Sequence, residues 1–112
     1  MPDLRFPKAT RAHAEQRRAL APQAEDAFRT FSKAVFADGA LDARTKQLIA
    51  VATAHVTQCP WCIEGHVKAA RHAGATDEQI MEAIWIAAEM RAGAAYAHSV
   101  KALEIISHGK AD

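Results

Sequence analysis

Apolar residues recur along this chain at three- and four-residue intervals, and no stretch alternates in the two-residue rhythm of a strand. After a short extended arm ending near Pro7, residues 8–20 are polar and alanine-rich and predict a helix with a weakly defined face. Pro22 opens a second helix, since proline fits a first helical position where its missing N–H has no intrahelical partner. In it Ala24, Ala27, Phe28, Phe31, Val35 and Phe36 form an amphipathic stripe. Asp38-Gly39-Ala40 ends that helix, with Gly39 placed to adopt the left-handed cap.

Asp42 is a good N-cap for a third helix running to about Thr57. Beyond its polar first turn, Leu48 to Val56 is apolar on nearly every side. Pro60 starts a fourth helix, which stops at Gly74. Thr76-Asp77-Glu78-Gln79 is a capping box that opens a fifth, again apolar on most of its circumference. Gly93 is expected to kink or break it, leaving residues 94–107 as a last helix, with a frayed polar tail from Gly109. Two helices without a polar face are hard to bury inside one small domain, so the pattern predicts a homo-oligomer that shares them between subunits.

The chain has 112 residues and reads as one domain, with the arm at 1–7 and the core at about 22–107. Half of it is hydrophobic but only 6% aromatic, and alanine makes up about a quarter. That balance favours helices over strands, and the fold class expected is all-α. A net charge of +1 with interleaved acids and bases gives no pull toward nucleic acid or an anionic membrane. The sequence lacks a membrane-length apolar run and the apolar block of a signal peptide, so a cytoplasmic location is expected. In that compartment two close cysteines are more often catalytic, redox-active or metal-binding than structural.

Both cysteines lie in Gln58-Cys59-Pro60-Trp61-Cys62-Ile63-Glu64-Gly65-His66. With Pro60 at the first helical position, Cys59 becomes the N-cap. At about 100° per residue, Cys59, Cys62 and His66 fall within a wedge of roughly 60° on one helix face. A C-x-x-C pair at a helix start is close enough to form a disulfide, and the helix terminus and a nearby imidazole both favour the thiolate. Peroxide could oxidise one sulfur to a sulfenic acid, with which the other condenses, and an external dithiol would restore the pair. Zinc competes for the same three groups but requires a fourth ligand, and His55 and His72 carry no spacing signal for it. A third reading makes the cysteines small buried hydrophobes. Trp61 and Trp85 read as packing residues, His55 and His98 as hydrogen-bonded core histidines, and Glu64 as a solvated carboxylate about 200° from Cys62.

Cys59-x-x-Cys62-x-x-x-His66, with Lys46-Gln47-Leu48-Ile49-Ala50 before it and Ala73-Gly74-Ala75-Thr76 and Arg91 to His98 after it, resembles the AhpD-like alkylhydroperoxidase core. That core belongs to the wider carboxymuconolactone decarboxylase family, and the likeness runs from about Phe28 to Ile106. It implies a helical bundle whose C-x-x-C starts a helix within a helical hairpin, assembled as trimers or hexamers. It also implies a thiol peroxidase needing no cofactor or metal, with a hydroperoxide substrate and an external disulfide-reducing donor. By the same resemblance Cys62 attacks the peroxide, Cys59 resolves it, and His66 relays protons. Two positions depart from the pattern. Gln47 stands where the family has a relay glutamate, twelve residues before Cys59, and Trp61 stands where some members carry a relay histidine. An amide orients hydrogen bonds but does not shuttle protons near neutral pH, so a slower or differently activated thiol is expected. The decarboxylase branch generally lacks the cysteine pair, so lactone decarboxylation is not expected.

Overall fold

The computed structural model describes residues 6–109, which form five α-helices and, among the described residues, no strand. They are α1 (Arg11–Leu20), α2 (Pro22–Phe36), α3 (Ala43–Thr57), α4 (Pro60–His72) and α5 (Asp77–His108). The all-α expectation is met. The first five residues of the arm and the tail beyond Gly109 lie outside the described residues.

The capping chemistry sets most helix starts. Asp42 accepts the Thr45 N–H at 2.7 Å, and Thr76 accepts the Gln79 N–H at 3.1 Å while Gln79 reaches back to the Thr76 N–H. The first helix begins later than the composition suggests, at Arg11 rather than Lys8, because Thr10 and His13 make a reciprocal cap there. Gly74 takes a left-handed conformation, φ 94°, and turns the chain from α4 into α5. The expectation for Gly39 is corrected. It is not left-handed, and α2 ends at Ala37 in an extended conformation whose N–H still reaches Lys33 O.

The second correction concerns Gly93. α5 runs unbroken through it for 32 residues, about 48 Å at helical rise. One glycine in a helix interior costs only about 1 kcal/mol relative to alanine, and the flanking Ala92, Ala94 and Ala95 are the best helix formers available.

The core sits between α3, α4 and α5, where Val51, Ala70, Ala75 and Ile80 are buried together and Leu48, Val67 and Ile84 pack around them. Small residues at Ala54, Ala70, Ala83 and Ala87 let the three axes approach. The α1–α2 hairpin leans on this unit from outside, held to itself by Arg17–Glu25 and Arg18–Asp26 ion pairs. The radius of gyration is 19.5 Å, against about 13 Å for a compact chain of this length. Much of the difference comes from α5. After Ala87 every described residue except Gly93 is exposed, including Met90, Tyr96, Val100, Leu103, Ile105 and Ile106. Among the described residues no helix is long and apolar enough to cross a membrane.

Candidate redox site

The site is built on the turn between α3 and α4. Gln58 caps α3 in a left-handed conformation, φ 57°, which is uncommon for a residue with a side chain and reverses the chain tightly. The next residue, Cys59, donates its N–H to Ala54 O and serves as N-cap of α4. Its sulfur accepts the Cys62 N–H at 3.3 Å, and its carbonyl accepts the Ile63 N–H at 2.9 Å. Pro60 follows at the first helical position. This local geometry brings the Cys59 and Cys62 Cα atoms to 5.2 Å, and the two sulfurs are joined as a disulfide. From the far side, Arg91 of α5 donates to Val56 O at 2.6 Å and so closes off the C-terminal end of α3 beside the turn.

His66 lies one helical turn past Cys62, half-buried. Because α3 and α4 run antiparallel, Gln47 near the start of α3 meets it, with His66 Nδ1 2.8 Å from Gln47 Oε1. An amide oxygen only accepts, so Nδ1 carries the proton and a neutral imidazole keeps Nε2 as its acceptor. The Phe36 ring stacks on the imidazole at 5.2 Å between centroids and holds its plane. Gln47 therefore orients His66, and the stacked Phe36 stands out in the sequence only as one more apolar position on α2.

Cys62, His66 and Phe36 form a wall shared by two cavities. One, of about 490 Å³, is apolar and lies between α2 and α3 against Val35, Leu41, Ile49 and Ala50. The other, of about 940 Å³, opens between α1, α2 and α4, and Arg17 and Lys33 line it. Trp61, expected as packing, lies partly exposed beside this second cavity. Its indole N–H donates to Pro7 O at 2.8 Å and its ring meets Phe6 at 5.9 Å, so these two residues are fastened over the first turn of α4.

The remaining candidates lie elsewhere. Glu64 points to solvent and is bonded by Lys68 at 2.9 Å, which lowers its pKa through that hydrogen bond and the lysine's charge. His55, half-buried, pairs with Val51 O, whereas His98 is exposed and pairs with Ala94 O, so the core setting expected for His98 does not hold. Trp85 is also exposed rather than packed. Among the described residues no three His, Cys, Asp or Glu side chains converge as a ligand set for a metal ion.

Fold and site together define an all-helical protein with a C-x-x-C disulfide at the start of a helix, in a hairpin whose other arm presents Gln47 to His66. The pattern of the carboxymuconolactone decarboxylase family matches residues 22–104, and the chain belongs to that family. It is 71% identical over 106 residues to the uncharacterized protein 4 in the cox locus of Paracoccus denitrificans, covering 95% of each chain. A protein from Cupriavidus necator is 40% identical over 82 residues, 73% of each chain. Among solved structures, a carboxymuconolactone decarboxylase family protein from Legionella pneumophila superposes with a TM-score of 0.69 at 34% identity, over 83% of each chain. A protein from Methanobacterium thermoautotrophicum gives a TM-score of 0.70 at 34% identity, over 74% of this chain and 93% of its own. Family membership and the Cys59–Cys62 disulfide are compatible with peroxidase-like activity.

Proposed function

We propose that this protein is a thiol-dependent peroxidase that reduces a hydroperoxide through a Cys59–Cys62 disulfide and works as a homo-oligomer. The observation that carries the reading is the disulfide at the start of α4, with an oriented imidazole one turn away on the wall of an apolar cavity. In the reduced protein, the Cys62 thiolate attacks the peroxide oxygen and the O–O bond breaks. The sulfur becomes a sulfenic acid, and the alcohol leaves with the proton that His66 Nε2 took from the Cys62 thiol. The Cys59 thiol then attacks the Cys62 sulfur, its proton leaves with the sulfenic hydroxyl as water, and the disulfide forms. An external dithiol reduces it in turn. Gln47 acts by positioning the imidazole. Peroxide consumption with a dithiol donor should vanish in Cys62→Ser, and turnover that survives this change would rule the mechanism out.

One observation favours a second reading. Arg91 ties the end of α3, beside the redox turn, to α5, whose outer surface is unburied within the chain. A non-enzymatic redox-responsive assembly would use that tie to alter subunit packing. It predicts a reversible disulfide and changed oligomer stability with negligible peroxide turnover, so the same assay separates the two readings.

A further inference from the structure

The two cavities that meet at Cys62 and His66 differ in kind. The one between α2 and α3 is walled mainly by apolar side chains, and the one lysine in its lining, Lys46, donates to Ala37 O. The other continues along the α1–α2 hairpin into a groove that carries Arg17, Arg29 and Lys33. Within that groove Glu25 is the single acid among the lining residues. It is shared, standing 3.4 Å from Arg17 and 3.0 Å from Arg29, and its side chain is only 10% exposed. Two guanidiniums therefore divide one carboxylate, and among the described residues Lys33 has no acidic partner. The groove keeps an excess of two positive charges on a chain whose total is +1. A cationic groove on one side of a reactive sulfur and an apolar cavity on the other suit an amphipathic anion lying across it.

We propose that the substrate is a hydroperoxide of a carboxylic acid with an apolar chain. Its carboxylate is held by Lys33 and Arg17, its hydrocarbon occupies the apolar cavity, and its peroxide lies at Cys62. This deepens the peroxidase reading and rests on it. The chemistry balances as before. The two-electron reduction of R–OOH to R–OH oxidises the two thiols to a disulfide with release of water, and a dithiol donor returns the two electrons and two protons. The carboxylate takes no part in bond exchange and serves to place the O–O bond.

The test compares a hydroperoxy fatty acid with its own methyl ester as substrates of the reduced protein, and measures decanoate binding to the disulfide form by calorimetry. The acid should exceed the ester in kcat/KM by about fivefold to tenfold, mainly through KM, as two partly exposed charge contacts, from Lys33 and Arg17, would give together. In Lys33→Gln that ratio should fall toward one, and decanoate binding should weaken alongside it. Arg11→Gln removes a charge of the same sign from α1 outside the groove and should leave the ratio unchanged. Equal kcat/KM for acid and ester in the wild type, or a preference untouched by Lys33→Gln, overturns the proposal while leaving a peroxidase. Decanoate binding that depends on Lys33 with no turnover of either peroxide would instead support the carboxylate site and remove the peroxidase reading.

Discussion

Tyr96 projects from the exposed C-terminal half of α5, and Tyr96→Asp tests what that half is for. On a helical projection Trp85, Ala92, Tyr96 and Leu103 share one stripe, nearly opposite the face that buries Ala83 and Ala87 against the core. Trp85 is 68% exposed and Tyr96 83% exposed. An aromatic side chain buries about 150–250 Å², so covering these two rings would remove roughly 230–380 Å² from water. At about 25 cal/mol per Å² that stabilises association by about 6–9 kcal/mol per copy, as an upper bound. The tyrosine's share is about 3–5 kcal/mol, or roughly a hundredfold to a few thousandfold in the dissociation constant. A carboxylate left in the same contact adds a desolvation penalty on top. Sedimentation velocity over a dilution series should show the wild type as an oligomer and Tyr96→Asp dissociating at markedly higher concentration, with its helical circular dichroism retained. A wild type that sediments as a monomer at micromolar concentration refutes the reasoning, as does a variant with the wild-type mass at every dilution.

Gln47→Glu puts a carboxylate where the amide now accepts from His66, which makes Nε2 a better base. Oxidation of the thiol pair by peroxide, followed by stopped-flow fluorescence, should accelerate by about tenfold or more, and an unchanged or slower rate would mean that no relay runs through this position. Asp42 is held below its ordinary pKa first by the Thr45 backbone N–H and then by the Thr45 side chain. Its stabilising effect is therefore full above the unfolded-state value of 3.8 and is lost as pH falls through the lower native value. In thermal melts the lead of wild type over Asp42→Asn should shrink over that acidic range, and a lead still constant at about pH 2 contradicts the assignment.

The local signals were legible wherever a single residue decides a local outcome. Asp42, Thr76, Pro22 and Pro60 mark helix starts by capping chemistry or by fixed φ, and the structure uses each of them so. Cys59 as N-cap followed from Pro60 alone. Glycine was the weaker guide, because its meaning depends on surroundings that periodicity does not show. Gly74 turns the chain, Gly39 does not, and Gly93 is carried through a helix by its alanine neighbours. What the pattern could not supply was the pairing of distant elements. Phe36 on His66, Arg91 on Val56 O and the basic groove all join residues from separate helices, and an amphipathic stripe says which face is apolar without saying what it meets. The largely apolar circumferences of α3 and α5 call for more than one covering surface. Within a single chain Ile49, Trp85 and Ile86 are indeed left uncovered.

The disulfide closes a ring of only four residues, from Cys59 to Cys62. By the chain-entropy relation a loop that short restrains the unfolded polypeptide by about 2 kcal/mol, against nearly 5 for a loop of a hundred residues. A domain of ordinary stability, about 5–15 kcal/mol, survives that loss. The bond also does little to shape the native turn, which Pro60, the left-handed Gln58 and the Ala54 carbonyl already hold. Opening and resealing this ring is therefore a covalent event nearly uncoupled from unfolding. The scaffold can stay folded in both redox states, as the proposed peroxidase cycle requires.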